Sequence, residues 1–180
     1  MILKLLTIPS SEMTAAQADE VIALCSAVFR VDYAFYMNLG YERVHILGYV
    51  GPHLVSHALW LARRLQVGRG PWLNAAYVEG MATHPDYRGQ GYGSALMRRL
   101  QQEIVDSTHG RFDLGALSPA RAAWYERLGW VRWQGPLFIL QDGVVQATPD
   151  DCVLIYRTPR SGDIDLTTSL TGEWRPFEPW

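Results

Sequence analysis

The sequence predicts an α+β fold on a mixed sheet, from three observations. Arg43 to Val50 and Leu54 to Val67 read as antiparallel strands joined by the Gly51-Pro52 turn, and Gly68 to Pro71 turns the chain into a third strand. From Tyr77 onward the pattern changes to strand, glycine-rich loop, helix, strand and helix. The 180 residues are 48% hydrophobic, enough for one full core, so residues 1–180 are expected to form a single domain.

Ile2 to Ile8 is the first strand candidate. Thr14-Ala15-Ala16-Gln17 has the form of a capping box, and Ala18, Val21, Ile22, Cys25, Val28 and Phe29 then recur at helical spacing, so this helix buries one face. Tyr77 to Thr83 reads as a strand, and Ser94 to Ile104 as a helix with Leu96, Leu100 and Ile104 along one side. His109-Gly110 breaks to a strand at Phe112 to Leu117, followed by a helix from Pro119 to Gly129. Trp130 to Leu140 and Val153 to Arg157 supply late strands, with the Gln141-Asp142-Gly143 turn after the first. No internal repeat or low-complexity segment interrupts this pattern.

A net charge of -2 provides no basic field for nucleic acid or an anionic membrane, which points to a small-molecule partner. The N-terminus is apolar only from Met1 to Leu6, lacks a basic region and meets Pro9, so a cytoplasmic protein is expected. Cys25 and Cys152 have no partner at metal-ligand spacing, which predicts reduced structural thiols and no metal site. His45, His53 and His57 lie in strand-like stretches, where a hydrogen-bonded sheet role is expected; His84 and His109 are scattered.

The run His84-Pro85-Asp86-Tyr87-Arg88-Gly89-Gln90-Gly91-Tyr92-Gly93 places three glycines and an arginine where a strand gives way to a helix. Backbone N–H groups of such a turn converge on an anion, and the helix dipole adds to the attraction, so a pyrophosphate fits. A P-loop is excluded because no lysine follows Gly93. A dinucleotide fingerprint is weak, since the spacing is G-x-G-x-G and Asp113 opens the next strand instead of an acidic residue closing it. Arg88, Gly91 and Gly93 satisfy Arg/Gln-x-x-Gly-x-Gly/Ala, which resembles the acetyl-CoA loop of the GNAT acetyltransferases. A glycine turn without ligand is the alternative.

Acetyl transfer from a thioester to an amine needs a bound donor, an uncharged amine, a polarised carbonyl and a proton for the departing thiolate. Glu79 stands in a mostly apolar strand, on a face with Tyr77, Met81 and Thr83 and opposite Ala76, Val78, Gly80 and Ala82. It either accepts a proton from an incoming ammonium, directly or through water, or makes a salt bridge within the sheet. Tyr125 follows the next strand and either hands a proton to the thiolate or packs by its ring.

The resemblance then narrows. Tyr77-Val78-Glu79-Gly80-Met81-Ala82, Leu114-Gly115-Ala116-Leu117-Ser118, Tyr125 with Gly129-Trp130, Trp133-x-Gly135-Pro136, Thr148-Pro149-Asp150-Asp151 and the tail Glu173-Trp174-Arg175 to Trp180 are similar to the aminoglycoside 2'-N-acetyltransferases, nearly end to end. The resemblance implies acetyl-CoA as donor, no metal, a homodimer, and a mixed, mostly antiparallel sheet flanked by helices, with splayed central strands. It implies that Met81 and Thr83 pair their backbone with the pantetheine, and that Arg88, Gly89, Gln90, Gly91, Gly93 and Ser94 hold the pyrophosphate. Glu79 is then a water-mediated base and Tyr125 the acid. The implied substrate site draws on Asp32, Tyr33, Tyr36, Glu79, Ser118, Asp151, Glu178 and Trp180.

Residues 172–180 are expected as a tail reaching the substrate site, because Trp174, Phe177 and Trp180 are costly to leave in water and two prolines limit the entropy lost on docking. A tail docked only for stability or dimerisation is the alternative. Relatives acting on gentamicin-like antibiotics carry an acidic loop after the first helix; here Val31 to Gly40 holds one carboxylate, Asp32, among Tyr33, Phe35, Tyr36 and Met37. That favours a narrow acceptor range, with a weakly cationic aminoglycoside such as kasugamycin as good a candidate as gentamicin or tobramycin. Two other functions compete: acetylation of a protein N-terminus or other amine, and a non-catalytic acyl-CoA-binding module that needs the glycine loop but neither Glu79 nor Tyr125.

Overall fold

Thr14 closes its capping box in both directions: its hydroxyl accepts from the Gln17 amide at 3.2 Å, and its own amide donates to Gln17 Oε1 at 2.9 Å. The helix so started, α1 (Ala15–Phe29), ends where Arg30 adopts a left-handed φ of 61°. A computed structural model of the protein describes residues 2–106, 112–176 and 179–180. Among these, the helices after α1 are α2 (Tyr33–Met37), α3 (Tyr92–Asp106) and α4 (Ala122–Glu126). The strands are β1 (Leu3–Pro9), β2 (Arg43–Val50), β3 (His53–Val67), β4 (Trp72–Thr83), β5 (Leu114–Leu117), β6 (Val131–Arg132), β7 (Leu137–Gln141), β8 (Val144–Ala147), β9 (Leu154–Arg157) and β10 (Leu170–Glu173).

The chain groups into two units, Met1–Leu61 with Val78–Gln102 and Ala62–Tyr77 with Glu103–Trp180. In the first, β1 runs antiparallel to β2 from Leu3↔Val50 to Pro9↔Val44, and β2 antiparallel to β3 with a bulge at Gly48/Tyr49. Val21, Leu24 and Cys25 of α1 pack with Tyr33, Leu47 and Ala82 into a core that excludes water. Leu96, Met97 and Leu100 of α3 are fully buried, three apolar residues at helical spacing.

In the second unit β4 pairs in parallel with β5 from Ala75↔Leu114 to Tyr77↔Ala116, and β10 pairs in parallel with β7. The ladders β5/β9, β6/β9, β7/β8 and β10/β3 are antiparallel. The expected mixed, mostly antiparallel sheet is therefore what forms. The core here joins Leu65, Tyr77, Leu114, Trp133, Ile155 and Trp180, among others. No helix among the described residues is long and apolar enough to cross a membrane.

Four departures from the sequence reading have local causes. The segment expected as a loop after α1 contains α2, because the Asp32 carboxylate accepts from the Ala34 amide at 3.1 Å and starts a turn. The strand expected from Trp130 to Leu140 divides into β6 and β7: the amides of Gln134 and Gly135 donate to Leu166 O, and Gly135 lies so close to the Thr167 and Thr168 carbonyls that a Cβ would overlap them. The helix expected from Pro119 to Gly129 contracts to α4, and Gly129 takes φ 89°. Strands β8 and β10 were not expected; β10 takes the first residues of the segment read as a tail. Phe177, Glu178 and the His109-Gly110 break lie outside the described residues.

Candidate active site

In the first unit β4 ends at Thr83, a 3-10 turn covers Pro85–Tyr87, and α3 begins at Tyr92. Gly89 and Gly91 have φ of 75° and 80°, a left-handed backbone that glycine adopts without penalty. Arg88 is held at the mouth of this turn by Nε donating to Thr83 O at 3.1 Å, and Gln90 by Nε2 donating to Asp86 O at 3.3 Å. The first amide of the run to find an acceptor is that of Ala95, which donates to Gly91 O at 2.9 Å. The amides of Gly89 to Ser94 find none among the described residues, so they remain at the positive end of a 15-residue helix. A Cβ built on Gly89 or Gly91 would meet open space within 4 Å, leaving room for an anion over both positions.

Ten residues before Gly89, on β4, is Glu79, half-buried, followed by Gly80 at φ 60°. Gly80 departs from extended backbone inside the strand, yet burial alternates on both sides of it, with Val78 and Ala82 buried and Glu79, Met81 and Thr83 half-buried. A Cβ on Gly80 would overlap the Tyr33 hydroxyl and approach His57 Cε1 to 3.1 Å. Thr83 shares its hydroxyl with Ser56 Oγ at 3.0 Å.

Of the residues expected on the acceptor side, Tyr33 is buried, and it packs its ring 5.6 Å from that of Tyr36. Burial first, then the neighbouring Cys25 thiol and the Glu79 carboxylate, hold the Tyr33 hydroxyl protonated well above its ordinary range. Asp32 is exposed, with its carboxylate turned to the Ala34 amide of α2. The apolar surface around it is open to solvent: Phe35 is 50% exposed, Val31 42% and Phe29 40%.

Under these residues lies a polar chain. His57 Nδ1 is 2.8 Å from Gly80 O, His57 Nε2 2.9 Å from His45 Nδ1, and His45 Nε2 3.2 Å from Ser10 Oγ. Both rings are fully buried, which lowers His57 to about 4 and, with the His57 and Arg43 charges opposing it, His45 to about 3. The hydrogen-bonded sheet role expected for these two histidines is what they have. His53 differs: it is exposed at the first position of β3, where no core encloses it.

In the second unit, Tyr125 sits on the short α4 with its ring edge-on to Trp124 at 4.7 Å and to Trp130 at 6.4 Å. Burial pushes its hydroxyl up to about 12, so it stays protonated over the whole neutral range. Ser118 is exposed one residue past β5. Trp180 is buried and donates Nε1–H to Thr148 Oγ1 at 2.8 Å, while Asp151 donates its amide to Thr148 O at 3.2 Å, so Thr148 brings these two expected residues together. Arg63 went unnoticed in the sequence: its Nη2 donates to Glu173 O at 2.7 Å and to Pro179 O at 2.8 Å. The Arg63-Arg64 pair inside a strand was the available signal, because alternation must turn one of the two inward.

Residues 10–132 match the acetyltransferase (GNAT) domain family, and the chain belongs to that family. Over 133 residues it is 37% identical to an aminoglycoside 2'-N-acetyltransferase of Mycolicibacterium fortuitum, an alignment covering 71% of this chain and 66% of that protein. The chain thus spans just under two thirds of that relative. Among solved structures, the GNAT family N-acetyltransferase YhbS of Escherichia coli, in complex with CoA, superposes with a TM-score of 0.67 at 14% identity, over 96% of this chain and 91% of that one. Escherichia coli ElaA gives a TM-score of 0.59 at 18% identity, over 87% and 99% of the two chains. At these identities the structural likeness shows the GNAT fold.

Proposed function

We propose that the chain transfers the acetyl group of acetyl-CoA to the 2'-amine of an aminoglycoside, with residues 1–180 acting as one catalytic domain and giving resistance to the antibiotic. The observation that carries the donor half of this reading is the open, left-handed glycine turn at the head of α3, whose unclaimed amides suit a diphosphate. The M. fortuitum relative supports the acceptor half.

Acetyl-CoA supplies the activated thioester. Met81 and Thr83 offer backbone to its pantetheine, and Arg88, Gly89, Gln90, Gly91, Gly93 and Ser94 hold its pyrophosphate. Glu79 takes a proton from the acceptor ammonium through water, leaving an uncharged amine to attack. Tyr125 returns a proton to the leaving sulfur, a role that suits a hydroxyl kept un-ionised up to about 12. Ser118, Asp151, Glu178, Trp180, the cap residue Asp32 and the α2 residues Tyr33 and Tyr36 complete the acceptor side, and a second copy of the chain completes a dimer.

The acceptor range is narrow. Asp32 uses its carboxylate to cap α2, and the other exposed side chains nearby are the apolar Phe29, Val31 and Phe35, the neutral Asn38 and the cation Arg30, so a polycation gains little attraction there. A kasugamycin-like acceptor fits this surface better than a gentamicin-like one. Turnover of kasugamycin, gentamicin and tobramycin tests both statements. Kasugamycin is expected to give the highest kcat/KM, with Glu79→Gln lowering kcat by about 100-fold. Efficient turnover of all three antibiotics would refute the narrow range, and acetyl-CoA binding with no turnover of any would refute the reaction.

A further inference from the structure

Gly80 O can only accept, so the hydrogen in its 2.8 Å contact with His57 sits on Nδ1 of the ring. A neutral imidazole carries one N–H, which makes His57 Nε2 an acceptor and requires His45 Nδ1 to donate across the 2.9 Å between them. His45 Nε2 is then an acceptor facing Ser10 Oγ at 3.2 Å. The two histidine bonds thus point one way, toward the Gly80 carbonyl, while the single Ser10 hydroxyl hydrogen faces two acceptors, His45 Nε2 and Arg43 O at 3.1 Å.

The far end of this chain is the residue that departs from the extended strand. At φ 60° the Gly80 peptide is rotated out of regular strand geometry, and its carbonyl takes a side-chain donor. The same imidazole stands against the Cα of Gly80, with the Tyr33 hydroxyl beside it, so the position is limited by packing as well as by the bond. Cys25 Sγ lies 3.4 Å from the bonded His57 nitrogen and closes the cluster. Glu79 is the next residue back along β4, and a turn of the Gly80 peptide redirects its side chain.

We propose that His57 is a positioning residue for acetyl transfer: its Nδ1–H bond to Gly80 O, backed by His45, holds the β4 turn that aims Glu79. This rests on the reading of Glu79 as the base. His57 itself touches neither donor nor acceptor in this account; it acts through the backbone.

Three measurements test it. In the unsubstituted protein, long-range 1H–15N NMR of the histidine rings is expected to show Nδ1–H tautomers for both buried rings; an Nε2–H tautomer at His57 would overturn the proposal without any variant. His57→Leu is expected to lower kcat for kasugamycin and tobramycin by about tenfold while the CoA Kd stays within about twofold, since misplacing a reacting group by a fraction of an ångström has effects of this order. His57→Asn keeps a donor at the Nδ1 position and is expected to recover kcat to within about threefold of the unsubstituted enzyme. Equal losses of kcat in Leu and Asn variants would mean that packing, not the hydrogen bond, is at stake, and would sink the idea. The double variant His57→Leu/Glu79→Gln is expected to be no slower than Glu79→Gln alone, whereas multiplicative losses overturn action through Glu79. If Glu79→Gln alone leaves kcat unchanged, the base assignment fails; if Glu79→Gln is slow and His57→Leu is not, only the positioning role fails.

Discussion

The guanidinium carbon of Arg63 stands 4.5 Å from the centroid of the Tyr77 ring, and that of Arg175 stands 5.1 Å from it. Arg63 is only 7% exposed, and it also ties β3 to β10 and to the penultimate residue through Glu173 O and Pro179 O. A buried cation with two carbonyl acceptors and an aromatic neighbour is costly to lose, because the acceptors stay behind. Arg63→Met is expected to lower unfolding free energy by about 2 to 4 kcal/mol in urea titrations. Arg63→Lys recovers little, since a single ammonium cannot reproduce the fork. Both variants lying within about 0.5 kcal/mol of the parent would refute the clamp.

Gly80→Ala should be among the least tolerated substitutions in β4. The new Cβ carries both the penalty of φ 60° and an overlap with the Tyr33 hydroxyl, so a loss of at least about 2 kcal/mol is expected. Only the second part is relieved by removing the oxygen. Tyr33→Phe in the Gly80→Ala background is therefore expected to cost less than Tyr33→Phe alone, a positive coupling readable in a double-mutant cycle. Strict additivity would show that the hydroxyl is not what the methyl meets.

The strands and long helices were legible from periodicity and punctuation, as at the Thr14-Gln17 capping box and the Leu96, Leu100, Ile104 stripe. The glycine turn was legible too, because glycines at a strand-to-helix junction have few other uses. What stayed hidden depends on partners distant in sequence. The break at Trp133 to Pro136 arises from carbonyls of Leu166 and Thr168, about thirty residues on, and β10 exists only because β3 and β7 flank it. The left-handed backbone at Gly80 stayed hidden for a local reason that spacing cannot express: a glycine in a strand reads the same whether its φ is negative or positive. His45 and His57 were each readable as sheet histidines, but their meeting required the register of β2 on β3.

That buried pair predicts how stability responds to acid. Burial holds both folded-state values below the ordinary 6.5, at about 3 for His45 and about 4 for His57, so the unfolded chain binds more protons between those limits. Their contribution is complete above pH 6.5 and is lost as pH falls toward 3, at up to about 1.4 kcal/mol per pH unit for each ring. Cys25 and Tyr33 beside them, both held above their ordinary ranges by burial, keep their protons over this range. Urea unfolding from pH 7 to 4.5 is expected to show a steep fall in the parent and a shallower one in His45→Gln/His57→Asn. Parallel slopes in the two proteins would rule out the pair as the cause.

The glycine turn can be tested apart from the chemistry. At Gly91 a methyl meets nothing within 4 Å, so Gly91→Ala suffers only from φ 80° and from occupying the space assigned to the diphosphate. The loop is exposed and makes few contacts of its own, so stability is expected to drop by no more than about 1 kcal/mol. The CoA Kd in calorimetry is expected to rise by about tenfold or more, because strain and lost amide contacts act on the same anion. Arg88→Ala, which leaves the backbone free but removes the anchor on Thr83 O, is expected to weaken CoA by a smaller factor and to reduce the salt sensitivity of binding. Dephospho-CoA keeps the diphosphate but lacks the 3'-phosphate, and it is expected to show the same Gly91→Ala defect as CoA. A defect confined to CoA would place the cradle under the 3'-phosphate instead, and no defect with either ligand would leave the turn without an anion to hold.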